Sequence, residues 1–97
     1  MSITHITQFH AAPGQESTLE GLLIEGRNRM RAGDGCESFD LYRDQDDDQA
    51  FTFVQRWVSP EAHDAVFAER IIQTGHFQKV LATLAQPLVQ RTHVMVP

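Results

Sequence analysis

The chain has 97 residues, with 41% apolar and 22% charged types and a formal net charge of −5. That is the size of one domain with a modest core, so the expected organisation is a single domain over residues 1–97. The eight Lys and Arg are scattered through an acidic chain, which excludes the clustered basic footprint of a nucleic-acid site.

Cys36 is the one cysteine and has no partner for an internal disulfide. It reads as a small buried hydrophobe rather than a reactive thiol. Neither a charged leader nor a run of about 18 apolar residues opens the chain, and the expectation is a cytoplasmic protein without a membrane partner.

Residues 3–11, ITHITQFHA, alternate with period two and predict a first strand. His5, Thr7 and Phe9 fall on one face, and Thr4, Ile6, Gln8 and His10 on the other. Pro13-Gly14 breaks the strand, and Leu19, Leu22, Leu23, Gly26 and Met30 then recur at helical spacing. Ala32-Gly33-Asp34-Gly35 ends that helix. Cys36 to Arg43 and Ala50 to Val58 are strand-like runs joined by Asp44 to Gln49, a solvated hairpin tip. Its three consecutive aspartates lack the glycine and the distant Glu of a calcium loop, so no metal is expected there.

Ser59-Pro60-Glu61 is a helix start: a hydroxyl acceptor at the cap, Pro at the first helical position and an acid in the first turn. Thr74-Gly75 marks a break. Phe77, Val80, Leu81 and Leu84 resume the helical spacing, and Pro87 opens a last β run, LVQRTHVMV. The order β-α-β-β-α-β, with the second α in two pieces, predicts an α+β ferredoxin-like domain with a four-stranded antiparallel sheet covered by helices on one face. The alternation leaves neither face cleanly polar: Val54 and Val58 oppose Phe51, Phe53 and Trp57. A second copy of the chain is the expected cover for the other face, giving a homodimer.

The segments GCESFDLYRD, FTFVQRWVSPEAHDAVF and GHF, in that order, resemble the antibiotic biosynthesis monooxygenase domain, a dimeric α/β-barrel family. The resemblance runs from ITHITQFHAAPG to the closing strand. It implies a ferredoxin-like subunit packed sheet to sheet on its twin, with a pocket in each subunit between sheet and helices. Family activities include cofactor-independent oxygenation of quinols or aromatic polyketides, and heme binding and degradation. The heme branch uses an asparagine, a second tryptophan and a histidine. Aligned on Gly14 and Trp57, these positions are Thr7, Val66 and His76. Only the histidine is kept, which argues against heme turnover. Many quinol-oxygenase-like relatives carry a histidine where Val66 stands, a departure on that side too.

What the resemblance implies is therefore a cofactor-free, metal-free monooxygenase of a small quinol-like or polyketide aromatic, with dioxygen as co-substrate. The alternative is a non-catalytic dimeric ligand-binding protein of the same fold. An oxygenation of this kind needs a base, donors for phenolate charge and an apolar cavity. Histidine suits the base because its pKa lies near neutrality, and His63 and His76 are the two candidates. His76 is expected to carry more, because the resemblance puts it at a position that recurs as a pocket residue in the related branch and because it sits beside Phe77 on an apolar stripe. His63 is expected to point to water, since Ala62, Val66 and Phe67 supply the buried stripe of its helix. Trp57, Thr7, His5, Tyr42 and Phe77 are the expected substrate-binding residues. Arg56 is assigned to the dimer surface or solvent, and Glu61 to capping.

Overall fold

The computed structural model describes residues 1–97. Its strands are β1 (Ile3–His10), β2 (Cys36–Arg43), β3 (Ala50–Trp57) and β4 (Val89–His93), and its helices α1 (Glu16–Arg31), α2 (Pro60–Phe67) and α3 (His76–Leu81). A π-helical turn, Ala68–Ile72, continues α2. The sheet order is β2-β3-β1-β4 with every neighbouring pair antiparallel, the ferredoxin-like arrangement.

Period-two alternation decides the two faces. Ile3, His5, Thr7 and Phe9 of β1, and Phe51, Phe53, Gln55 and Trp57 of β3, are all buried toward the helices. The antiparallel register sets Ile3 opposite Trp57 and Phe9 opposite Phe51, so the large side chains form one seam along the two central strands. Leu19, Leu23 and Met30 of α1 pack on it. Truncating one buried Phe or Trp here removes about 3–5 kcal/mol, a large share of the stability of a domain this small.

The helix that carries His63 is held from two sides. Ser59 Oγ accepts from the Ala62 N–H at 3.1 Å, so the cap foreseen in Ser59-Pro60 forms. Ala62 and Val66 lie against the turn after α1, where a Cβ on Gly33 would stand 2.5 Å from Val66, and one on Gly35 2.7 Å from Ala62. Gly35 also has φ +91, a conformation that side chains other than glycine adopt at a cost. The face of α2 one residue on, His63 and Phe67, is thereby turned over the sheet.

β4 is shorter than its sequence suggests. It ends at His93 rather than continuing through Val96: the register pairs His93 with Thr4, and only Ile3 of β1, its one neighbour, lies beyond that pair. Its inward positions are Gln90 and Thr92, opposite Thr7 and His5, and Val94, Met95 and Val96 are exposed. The sheet face away from the helices is mixed: Ile6 and Val54 are paired and half-buried at its centre, Tyr42 and Val89 are exposed, and Arg56 meets Glu37 at 3.5 Å.

Candidate active site

An apolar cavity lies between the sheet and the helices. Phe9, Phe39 and Phe53 form its sheet-side wall, and Phe67 and Phe77, edge to face with centroids 5.4 Å apart, close the helix side. Its polar atoms come from Thr7, Gln55, His63, His76 and Gln90. The room left for the centre of a water molecule is about 50 Å³. By the same kind of measure one water needs roughly 10–15 Å³, so the cavity as it stands has room for a few waters, and an aromatic ring needs its wall to move.

His63 does not point to water. It is 6% exposed, because α2 is clasped through Ala62 and Val66 and the next position along the helix faces the sheet. Its ring stacks on Phe67 with centroids 5.6 Å apart, meets Trp57 edge-on at 5.5 Å and lies 4.4 Å from the His5 ring. His63 Nδ1 is 2.9 Å from Asp64 Oδ1. An ionised carboxylate only accepts, so Nδ1 carries the proton and Nε2 presents a lone pair. That nitrogen has no hydrogen-bond partner within the chain and belongs to a residue lining the cavity. An imidazole able to accept a proton, a carboxylate that orients it and an apolar cavity are thus together.

His76 also lines the cavity and is 4% exposed, but its ring is tied to α1. Nε2–H donates to the Leu22 carbonyl at 2.8 Å, and Nδ1 stands 3.6 Å from Glu25 Oε2. The nitrogen with hydrogen-bond geometry is therefore a donor to backbone, not a free acceptor.

Of the remaining expected residues, Thr7 and Phe77 line the cavity. His5 lies behind it on the same face of β1, with Nδ1 2.8 Å from Thr92 Oγ1 and Nε2 buried without a partner. Burial pushes its pKa down, the neighbouring His63 and His93 add to that, and Gln90 and Asp64 oppose it. Trp57 is fully buried in the core rather than in the cavity wall, and its Nε1–H donates to Gln55 Oε1 at 2.7 Å. Tyr42 is 57% exposed on the opposite sheet face, outside this cavity. It borders instead a shallow polar concavity with Gln8, His10 and Thr52.

Sequence reasoning passed over Gln55, Gln90 and the pairing of Asp64. Gln55 was signalled: one polar residue inside the buried alternation Phe51-Phe53-Gln55-Trp57 demands a partner. With Oε1 engaged by Trp57, its amide nitrogen is left as a donor. Burial pushes the half-buried Cys36 thiol up, away from reactivity. The structure contains no group of three or more His, Cys, Asp or Glu placed to hold a metal, and no helix long and apolar enough to cross a membrane.

The fold has counterparts among known proteins. None of the curated proteins matches the chain. Rv0793 from Mycobacterium tuberculosis has a solved structure similar over 100% of this chain and 97% of its own, with 25% identity and a TM-score of 0.90. A crystal structure described as an antibiotic biosynthesis monooxygenase is similar over 98% of this chain and 99% of its own, with 25% identity and a TM-score of 0.89. SnoaB, a cofactor-independent oxygenase from Streptomyces nogalater, shares the fold at 15% identity over 97% of this chain and 92% of its own, with a TM-score of 0.83. The model of the antibiotic biosynthesis monooxygenase family matches residues 2–83, the span from β1 through α3 that supplies all of the cavity lining except Leu88 and Gln90, and the chain belongs to that family.

Proposed function

We propose that the protein is a monooxygenase that oxidises a small quinol-like or polyketide aromatic with dioxygen, the substrate itself supplying the electrons. The observation that carries this reading is His63 in the wall of an apolar cavity, with Nδ1 beside the Asp64 carboxylate and no hydrogen-bond partner at Nε2. His63 takes the proton of a phenolic hydroxyl, and the Gln55 amide is the donor for the phenolate charge. The electron-rich anion reduces dioxygen, one oxygen atom enters the ring and the other leaves as water. Two ring or hydroxyl hydrogens go into that water, so a hydroquinone plus dioxygen gives a hydroxyquinone plus water. This reaction requires no resident metal or flavin. Substrate entry displaces the Phe67 and Phe77 rings, which are half-buried at the helix-side wall.

The working unit in this reading is a homodimer, with Ile6, Val54 and Val89 of the open sheet face covered by a second copy. The single unpaired Cys36 suits a reducing compartment, and the cytoplasm is the proposed location. The small volume of the cavity favours a second reading, a non-catalytic dimeric ligand-binding protein. Oxygen uptake by the purified protein across a panel of hydroquinones and anthrones separates the two. Uptake that scales with protein and yields the hydroxylated or quinone product supports the oxygenase. Saturable binding without uptake across the panel overturns it.

A further inference from the structure

Two histidines from different elements meet beneath the cavity. His5 of β1 and His63 of α2 have ring centroids 4.4 Å apart and planes inclined at 41°, and they are 5% and 6% exposed. Each is held at Nδ1, His5 beside Thr92 Oγ1 and His63 beside the Asp64 carboxylate. His5 Nε2 is closed off from solvent and has no partner. Buried polar atoms of this kind are rare enough to require an explanation.

We propose that His5 and His63 form a one-proton pair, in which the proton resides on His63 and His5 stays neutral as the positioning residue of the base. Two imidazolium ions at this separation, away from bulk water, repel strongly enough to part their protonations into separate steps. Asp64 lies directly on His63, so the first proton goes there. His93 of β4 adds a further positive group against His5, and β3 contributes only the uncharged Gln55 and Trp57. His76, on the same cavity, is occupied by Leu22 and Glu25. A His5 kept neutral avoids the counterion that a buried imidazolium with a partnerless Nε2 would need, and its ring lies against the cation formed on its neighbour. The burial that lowers the pKa of His5 acts in the same direction. The functional part rests on the base role proposed for His63; the titration does not.

The test is an NMR titration of isotope-labelled histidine rings in the full chain. His5 is expected to protonate at lower pH than His63, and His63→Phe is expected to move the His5 midpoint upward. Asp64→Asn, at a side chain 78% exposed, removes the carboxylate that opposes the lowering of His5 and is expected to move the His5 midpoint further down. An unmoved His5 midpoint in His63→Phe, or two rings that titrate together, overturns the pair. On a quinol that responds, the acid limb of kcat/KM is expected to steepen from one proton to two at low pH, and His5→Phe to keep it at one. A limb with the same two-proton slope in His5→Phe overturns the positioning role. Where no quinol is turned over, the base reading fails, and the titration alone decides the pair.

Discussion

Gly26 leaves the gap through which His76 reaches the backbone of α1. A Cβ at residue 26 would stand 3.2 Å from His76 Nε2, the atom that donates to the Leu22 carbonyl at 2.8 Å. Gly26→Ala gains about 1 kcal/mol of helix propensity but displaces a buried hydrogen bond worth about 1–3 kcal/mol to leave unmade. The expected outcome is a net loss of roughly 1 kcal/mol, read from the midpoint of a denaturant titration. A more stable variant would show that the ring yields without losing its bond.

The two cavity histidines are expected to differ in the opposite sense to the sequence reading. His63→Ala removes the free acceptor, and a base matched to neutral pH is typically worth about 10²–10⁴-fold. Turnover of a responsive quinol should fall by at least about 100-fold, and His76→Ala by about tenfold or less, through packing and not proton transfer. Asp64 is largely exposed and its hold on His63 is screened, so Asp64→Asn should cost roughly three- to tenfold. Steady-state kinetics with circular dichroism as the folding control decides. Equal losses for the two histidines would remove the distinction.

Because burial, and after it His63, lowers the folded-state pKa of His5 below its usual 6.5, the unfolded chain binds more protons than the folded one in mildly acid solution. Stability is then full above pH 6.5 and is lost as pH falls from there toward the folded value. His5→Phe keeps the ring volume without the proton, so its Tm should change less between pH 7.5 and 5 than that of the wild type, by thermal unfolding at matched ionic strength. An identical slope in both proteins would mean that His5 does not titrate in this window.

Val54 is half-buried at the centre of the open sheet face, opposite Ile6. Placing Asp there would bury an unpaired charge in the proposed dimer. Light scattering is expected to find the wild type dimeric at micromolar concentration, with an interface of about 2,000 Å² or more, and Val54→Asp monomeric with a lowered Tm. A monomeric wild type sinks the dimer proposal.

Heme turnover is expected to be absent. Thr7 and Val66 stand at two positions of the heme-branch pattern, Val66 packs on Gly33, and His76 Nε2 is held by Leu22. Titration with hemin, followed by reductant, should yield no stoichiometric complex whose porphyrin is degraded; spectra showing ring opening would contradict this.

The sequence alone determined the order of the elements and the two faces of the central strands, because both are properties of local periodicity. The inward set His5, Thr7 and Phe9, the Ser59 cap and the break at Thr74-Gly75 all follow from spacing and turn chemistry. The outward placement of Tyr42 was also legible, since Phe39 faces inward and Tyr42 lies three residues further along the same strand. What tertiary structure decided is which side of each buried element meets the cavity. The α2 stripe is wider than one contact: Ala62 and Val66 fit against Gly33 and Gly35, and that fit, made by residues distant in sequence, turns His63 inward beside Asp64 and His5. Likewise Trp57 is a core residue and not a cavity residue: it is fully buried behind the cavity lining, and Gln55, two positions away on the same face, satisfies its N–H. Periodicity says that a side chain is buried, and only the neighbours brought in from other elements say what it is buried against.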